Sequence, residues 1–515
     1  MPRRRKRIFL FATILFVVVV AGFGVWYLTR VDDTVTVPEP STISISRETT
    51  YVLGPVDQFG YVDYAEVIDR EYREGVTPEN NAAVLFWKAF GPTDIPESIR
   101  TEFFRRLGIP RLPDRGNYLS LTDREIKTLF EVIKRPWKTA EFPETAAWLN
   151  RNERPLRVLV EATKRSRYYS PMLATRWLQG RQAAMSLLME DTEKARIAAR
   201  ILLTRALWHI GENRFDEARA DIRAGHRLAR LIDQNPTTIG GLAAIAVDAV
   251  VFNADFALAQ SNRLTVDQLR ECTMETRRLT EIASGAAHLD RCDRLVILDC
   301  ATLVARNGWE GLDLIADANA RRRVLDRYAE RHILSLTDWD VVLRAINQHF
   351  DRAIAIGRIV DRADRRAELD AFRNELLELR ARRRGFSELS RDAVTRWFAD
   401  WAVAELCPPF GQVWTAEDQN HVRTRLAETA YALAAFRLHT GRYPKDLSEV
   451  VPRYLMVVPT DPHSGLPLIY SCTDAGYRLG SFGENGRDDE GRGPSDDPPG
   501  DDVFIKTPNK RNDSL

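Results

Sequence analysis

The chain is predicted to be mainly α-helical. An N-terminal transmembrane helix, a large all-helical extracytoplasmic domain and a small C-terminal α+β module with a short antiparallel sheet make up the expected order. Three observations lead there. One uncharged run near the N-terminus has the length of a bilayer core. Apolar residues then recur at three- and four-residue steps over roughly 350 residues. The last stretch of about a hundred residues turns to Gly and Pro breaks between short strand-like runs.

The uncharged run is Ile8 to Leu28 (IFLFATILFVVVVAGFGVWYL), which spans about 31 Å as a helix. Backbone groups in lipid must satisfy one another, so a helix is the conformation such a run takes. Arg3, Arg4, Arg5, Lys6 and Arg7 precede it, and Asp32 and Asp33 follow. That asymmetry predicts a single-pass protein of the inner (cytoplasmic) membrane, N-terminus in the cytoplasm and bulk outside. A cleaved export signal would leave the bulk on the same side, but the run exceeds a usual signal core and no A-x-A-like site follows. The expected divisions are 1–30 for the basic stub and anchor, 31–60 for a Thr-, Ser- and Pro-rich linker, 61–410 for the helical domain, 415–506 for the C-terminal module and 507–515 for a tail.

Composition limits the function classes. Hydrophobic residues make up 44% and charged residues 29% of the 515, as in a packed globular protein. The 74 basic and 73 acidic side chains nearly cancel, so no net basic surface invites nucleic acid. The run Arg380 to Arg384 reads as the solvated end of a charged helix. Cys272, Cys292, Cys300, Cys407 and Cys472 contain no C-x-x-C pair. Cys292 and Cys300 stand about 12 Å apart along one helix, too far to bridge. Cys272 reaching one of them from a neighbouring helix, or buried free thiols throughout, both stay open.

The helices follow in order. Thr77-Pro78-Glu79 reads as a helix start with Thr as N-cap, leading into Asn81 to Phe90. Ala184 to Ile210 is the most regular helix. Gly211-Glu212-Asn213 breaks it, and Phe215-Asp216-Glu217-Ala218 opens a second reaching about Gln234, before Pro236. This helix-break-helix unit resembles a tetratricopeptide hairpin, without a second copy at the expected period. Further helices are expected at about Ile239 to Gln260, Val266 to Ala283, Leu289 to Ala305, Asp338 to Ile359 and Asp361 to Arg384, the last one a solvated edge helix. Cys407-Pro408-Pro409-Phe410-Gly411 is the expected domain boundary.

In the module, His421 to Thr440 is an amphipathic helix closed by Gly441-Arg442-Tyr443-Pro444, and Lys445 to Tyr454 reads as a short helix. Leu466 to Cys472 and Tyr477 to Phe482 read as strands, with Val503-Phe504-Ile505 as a third beyond an acidic loop (GENGRDDEGRGPSDDPPGDD, 483–502). This order resembles the G-type (major) pseudopilin of type II secretion. The pieces are Gly441 to Pro444, the V-P-x-Y-L run Val451 to Leu455, the D-P-x-x-G-x-P strand entry Asp461 to Pro467, and Ser481-Phe482-Gly483-Glu484-Asn485-Gly486, over about 90 residues. In that family the last loop holds calcium, a hard cation that takes six to eight oxygens. The resemblance therefore implies calcium as a ligand. Ser481, Asn485 and Asp502 match the motif by position, and Asp488, Asp489 and Asp501 stand near them. A solvated acidic loop without an ion stays open beside it. A pseudopilin leader with Glu at the fifth mature position does not precede Ile8, and roughly 380 residues separate anchor from module, so assembly into a pseudopilus is not expected.

No H-E-x-x-H, G-x-S-x-G, P-loop or strand-linked G-x-G-x-x-G occurs. Most of the histidines read as surface or cap residues, Asp290, Asp293 and Asp299 near His288 as a solvated helix face, and Trp208 beside His209 as core. The expectation is a non-enzymatic scaffold or interaction protein of the bacterial envelope, with unidentified protein partners. The alternative is an envelope hydrolase whose site is assembled from distant helices.

Overall fold

In the computed structural model, the described residues are 42–507, except 174–176, 179–180, 183, 185–189, 309–333, 383–389, 408–409, 474–475 and 494–495. The predicted anchor at Ile8 to Leu28 lies outside them. The chain is mainly helical, with a small antiparallel three-stranded sheet near its C-terminal end.

Six helices come first: α1 (Tyr64–Tyr72), α2 (Ala82–Phe90), α3 (Glu97–Leu107), α4 (Asp123–Val132), α5 (Pro143–Arg151) and α6 (Glu153–Ala162). The cap of α2 is Asn81, whose side chain accepts from the Ala83 N–H. Thr77 to Glu79 form only the turn before it, so the predicted Thr cap is displaced by four residues. Thr122 and Glu125 close a reciprocal capping box on α4. Two short strands, β1 (Trp177–Leu178) and β2 (Arg181–Gln182), then pair antiparallel.

The central layer is α7 (Glu190–Gly211), α8 (Phe215–Ile232), α9 (Thr238–Gln260) and α10 (Val266–Arg277). Asn213, at φ 60°, turns the chain between α7 and α8. Helix α9 is long and apolar enough to cross a membrane by composition, but Ala243, Ala244, Val247, Val251 and Phe252 are buried in the core. It is apolar nearly all round because helices pack on several of its sides, α7, α8 and α16 (Gly411–Thr440) among them.

A second group begins with α11 (Gly285–His288), which continues through a π turn (Leu289–Asp293) into α12 (Arg294–Asn307). Then come α13 (Trp339–Gly357), the charged α14 (Arg362–Arg382) and α15 (Arg391–Trp401). Helix α14 behaves as predicted. Phe372 is buried, Leu369 and Leu376 pack beside it, and most of its charged side chains face solvent.

Helix α16 starts ten residues before the predicted His421, because Val413, Trp414 and Asp418 already face the interior. It ends at Gly441, whose φ of +81° makes the left-handed cap and whose N–H donates to Arg437 O. The predicted helix from Lys445 to Tyr454 shrinks to one 3-10 turn, Leu447–Val450. The sheet then forms from β3 (Ile469–Thr473), β4 (Gly476–Ser481) and β5 (Val503–Lys506), antiparallel in the order β3-β4-β5. Tyr477, Leu479 and Ile505 join the same hydrophobic cluster as the helices. Four indoles, those of Trp87, Trp137, Trp339 and Trp414, are fully enclosed in it.

Candidate functional site

The acidic loop leaves β4 after Ser481 and returns at Val503, and those two residues are paired across the sheet. Its ends are therefore fixed by strand hydrogen bonds. Its start is also tied to the strand entry: the Ser481 hydroxyl lies 2.6 Å from Asp461 Oδ1 and accepts from the Gly483 N–H. Asp461 further accepts from the His463 N–H and the Ser464 hydroxyl. Gly483 has φ +69°, and a Cβ there would come within 2.4 Å of Asp501 O, so only glycine lets the two ends of the loop close this tightly.

Three carboxylates meet in that loop. An oxygen from each of Asp489, Asp501 and Asp502 lies within 4.8 Å of the others. The loop's own donors occupy one oxygen of each group. Asn485 N–H donates to Asp501 Oδ2 at 2.7 Å, Asn485 Nδ2 to Asp489 Oδ2 at 2.8 Å, and Gly491 N–H to Asp502 Oδ2 at 2.9 Å. Asp501 Oδ1 and Asp502 Oδ1 are buried without a hydrogen-bond partner, and Asp502 as a residue is only 5% exposed. Burial, together with the neighbouring Asp488 and Asp489 charges, pushes the Asp502 carboxyl above the usual carboxylate range. The Asn485 amide and the Asp501 backbone N–H hold Asp489 below it. Two buried, unpartnered oxygens, on Asp501 and Asp502, with the partly exposed Asp489 carboxylate beside them and Arg492 4.0 Å from its Oδ1, form a set of donors that a hard cation could take.

The six predicted residues divide accordingly. Asp489, Asp501 and Asp502 converge. Asn485 stands beside them as the residue that orients two of the carboxylates, its own carbonyl oxygen taken by the Arg487 N–H. Ser481 is fully buried and spends its hydroxyl on Asp461 and Gly483. Asp488 turns away, pairing with Arg478 at 2.9 Å and accepting from the Glu490 N–H.

The loop is also fastened to the helical body. Arg366 on α14 donates to Glu484 O, and the Thr415 hydroxyl on α16 lies 3.1 Å from Glu484 Oε1.

Of the two readings left open for the cysteines, free thiols hold: all five are free and four are buried. The aspartates near His288 need correction. Asp299 is buried and accepts from the Ala184 N–H, while Asp293 accepts from the Thr238 N–H and hydroxyl at the start of α9. Asp293 and Asp299 therefore accept from donors inside the fold rather than lying on a solvated face. Trp208 and His209 are buried as expected.

The histidine pattern hid a densely bonded polar group in the interior. His226 on α8 places Nδ1 2.6 Å from Asp248 Oδ1 and Nε2 2.8 Å from Asp255 Oδ2, both carboxylates standing on α9. Arg230 and Asn420 complete Asp248, and Tyr431 OH donates to Asp255 Oδ1 at 2.8 Å. Burial alone pushes an imidazolium pKa down, but the Asp255 and Asp248 charges outweigh it and hold His226 at about 9. The network therefore joins α8, α9 and α16 as a set of paired charges. Its one sequence signal was the four- and seven-residue spacing of Asp248, Asp255 and the polar positions of α8, which marks one face of each helix.

No protein-family model matches the chain, and no curated protein or solved structure matches it at a significant level.

Proposed function

We propose that the chain is a membrane-tethered, extracytoplasmic interaction protein of the bacterial envelope, without catalytic activity, whose C-terminal module is stiffened by calcium. The observation that carries the calcium reading is the convergence of Asp489, Asp501 and Asp502 with a buried, unpartnered Asp502 Oδ1. The tether rests on the uncharged run Ile8 to Leu28 and its basic flank. Protein partners meet the helical body, and the cation fixes the loop that bridges the sheet to α14 and α16.

The hydrolase reading draws less support. Both ring nitrogens of His226 are occupied by carboxylates, which leaves neither poised as a base. Burial pushes the neighbouring Cys272 thiol up to about 12, away from nucleophile chemistry.

The test is thermal melting of the full-length chain in detergent after chelator treatment, with calcium or magnesium added back. An ion at about 100 times its dissociation constant adds about 2.7 kcal/mol to the unit that binds it. A calcium-specific rise supports the reading, and an unchanged melting curve removes it.

A further inference from the structure

A cavity of about 760 Å³ opens between α8, α10 and the turn at 163–166. Its floor is made by the His226–Asp255–Tyr431 group and the Cys272 thiol, and Ile222, Leu231, Leu258 and Leu279 give it apolar walls. Around these stand six arginines and Lys164, against two carboxylates, Asp255 and Glu275. The imbalance is built into one helix face. Arg219, Arg223, Arg227 and Arg230 recur at four- and three-residue steps along α8, a basic stripe about 16 Å long.

The carboxylates within reach neutralise only part of this basic set: Arg219 pairs with Glu271 at 2.8 Å, Arg230 with Asp248, and Lys164 with Glu161 at 2.7 Å. Asp255 is taken by His226 and Tyr431. Glu275 is shared between Arg219 and Arg223, at 3.6 and 3.1 Å. Arg219 is 8% exposed, and its Nε is buried with no hydrogen-bond partner. Among the described residues, Arg227 and Arg278 form no ion pair. Both are exposed on the rim. Like charges crowded on a partly apolar cavity repel one another, and a ligand that brings negative charge removes that cost.

We infer that this cavity is a binding site for an anion of the diphosphate class. A single carboxylate brings one negative charge, too few for Arg165, Arg227 and Arg278 together, the lining arginines that form no ion pair among the described residues. A diphosphate brings about three, with oxygens that accept from several guanidinium forks at once. The same group is offered by a free diphosphate and by the head of a lipid-linked diphosphate, whose apolar body would meet Ile222, Leu231, Leu258 and Leu279.

The experiment is isothermal titration calorimetry on the full-length chain in detergent, with two probes: inorganic pyrophosphate and geranyl diphosphate. Each is repeated with the Arg227→Ala/Arg278→Ala double variant and with Arg396→Ala as a surface control. Binding that weakens about tenfold or more in the double variant, and stays within about twofold in the control, is the expected result. Equal affinity for the two probes assigns a free ligand, and about tenfold tighter binding of geranyl diphosphate assigns the lipid-linked one. The charge-conserving Arg227→Lys/Arg278→Lys variant retains measurable binding if charge draws the anion in. Absence of binding by both probes, or a double variant that binds like the parent, overturns the inference.

Discussion

His226 Nε2 lies 2.8 Å from Asp255 Oδ2, and this one contact is both the clamp between α8 and α9 and the floor of the basic cavity. Because Asp248 holds the other ring nitrogen at 2.6 Å, the imidazole is bracketed by negative charge on both sides. Two carboxylates buried this deeply on one helix are tolerable only while a cation separates them.

The His226 pKa of about 9 makes that clamp pH-dependent. The folded value stands above the 6.5 of a free imidazole, so its contribution is complete below about pH 6.5. It is lost as the pH rises through about 9. His226→Gln is expected to cost about 3 kcal/mol at pH 7, by leaving Asp248 and Asp255 without their shared cation. Urea unfolding between pH 6 and 10 checks both points: the parent loses stability over the upper part of this window, and the variant does so much less.

Glu417 gives the same direction of pH dependence over a lower window, through a neutral rather than a charged protonated form. Burial raises its carboxyl to about 7 despite the hydrogen bond it accepts from the Gly285 N–H at the start of α11. A carboxyl raised in the folded state favours folding most below its ordinary 4.5, and that contribution is lost as the pH climbs through 7. Glu417→Gln keeps an acceptor for Gly285 and removes the charge. It is expected to stabilise the chain by about 1–2 kcal/mol at pH 8 and to change little at pH 4.5. Equal effects at both pH values would refute the assignment.

How much of this was legible in the sequence depended on the range of the interaction. Helices α7 to α10, α13 and α14 were visible because their apolar residues repeat locally at helical steps. The early start of α16 was hidden behind Pro408-Pro409, since what holds Val413 and Trp414 in a helix is burial against other elements. The His226 pairing lies 22 and 29 residues apart in the chain, across a helix boundary, and the regular spacing of Asp248 and Asp255 marks a shared helix face without naming its partner. In the acidic loop the carboxylates were evident as a set. Which three converge is decided by donors such as the Asn485 amide and the Gly491 N–H, and composition does not report those.

The thiols supply a third check. Burial pushes Cys272 up to about 12 and raises Cys292 and Cys407 as well, and Cys300 is fully enclosed. Only Cys472, on β3, is partly accessible. A thiolate-specific reagent at pH 7.5 is expected to label one cysteine in the folded chain and five after denaturation, without prior reduction. Three labelled thiols under non-reducing denaturation would reveal a disulfide.

The last prediction separates the carboxylates that face one another from one that merely lies near them. Asp502 has a buried oxygen with no partner, within 4.8 Å of oxygens from Asp489 and Asp501. Asp488 is a sequence neighbour of Asp489, but Arg478 holds it at 2.9 Å on the outside of the loop. A solvated acidic loop that attracts calcium only through its total charge would respond equally to the loss of either group. A built site would not. Asp502→Asn is therefore expected to abolish the calcium-dependent rise in melting temperature, because an amide brings no negative charge to an oxygen already out of water. Asp488→Asn is expected to keep most of that rise and to weaken only the ion pair with Arg478, a contribution of about 1 kcal/mol or less at this exposure. Without calcium the order should reverse. Asp502→Asn relieves repulsion among three carboxylates and should melt above the parent, while Asp488→Asn should melt at or slightly below it. Both comparisons come from the same set of melting curves, and a parallel response of the two variants would reduce the loop to its net charge.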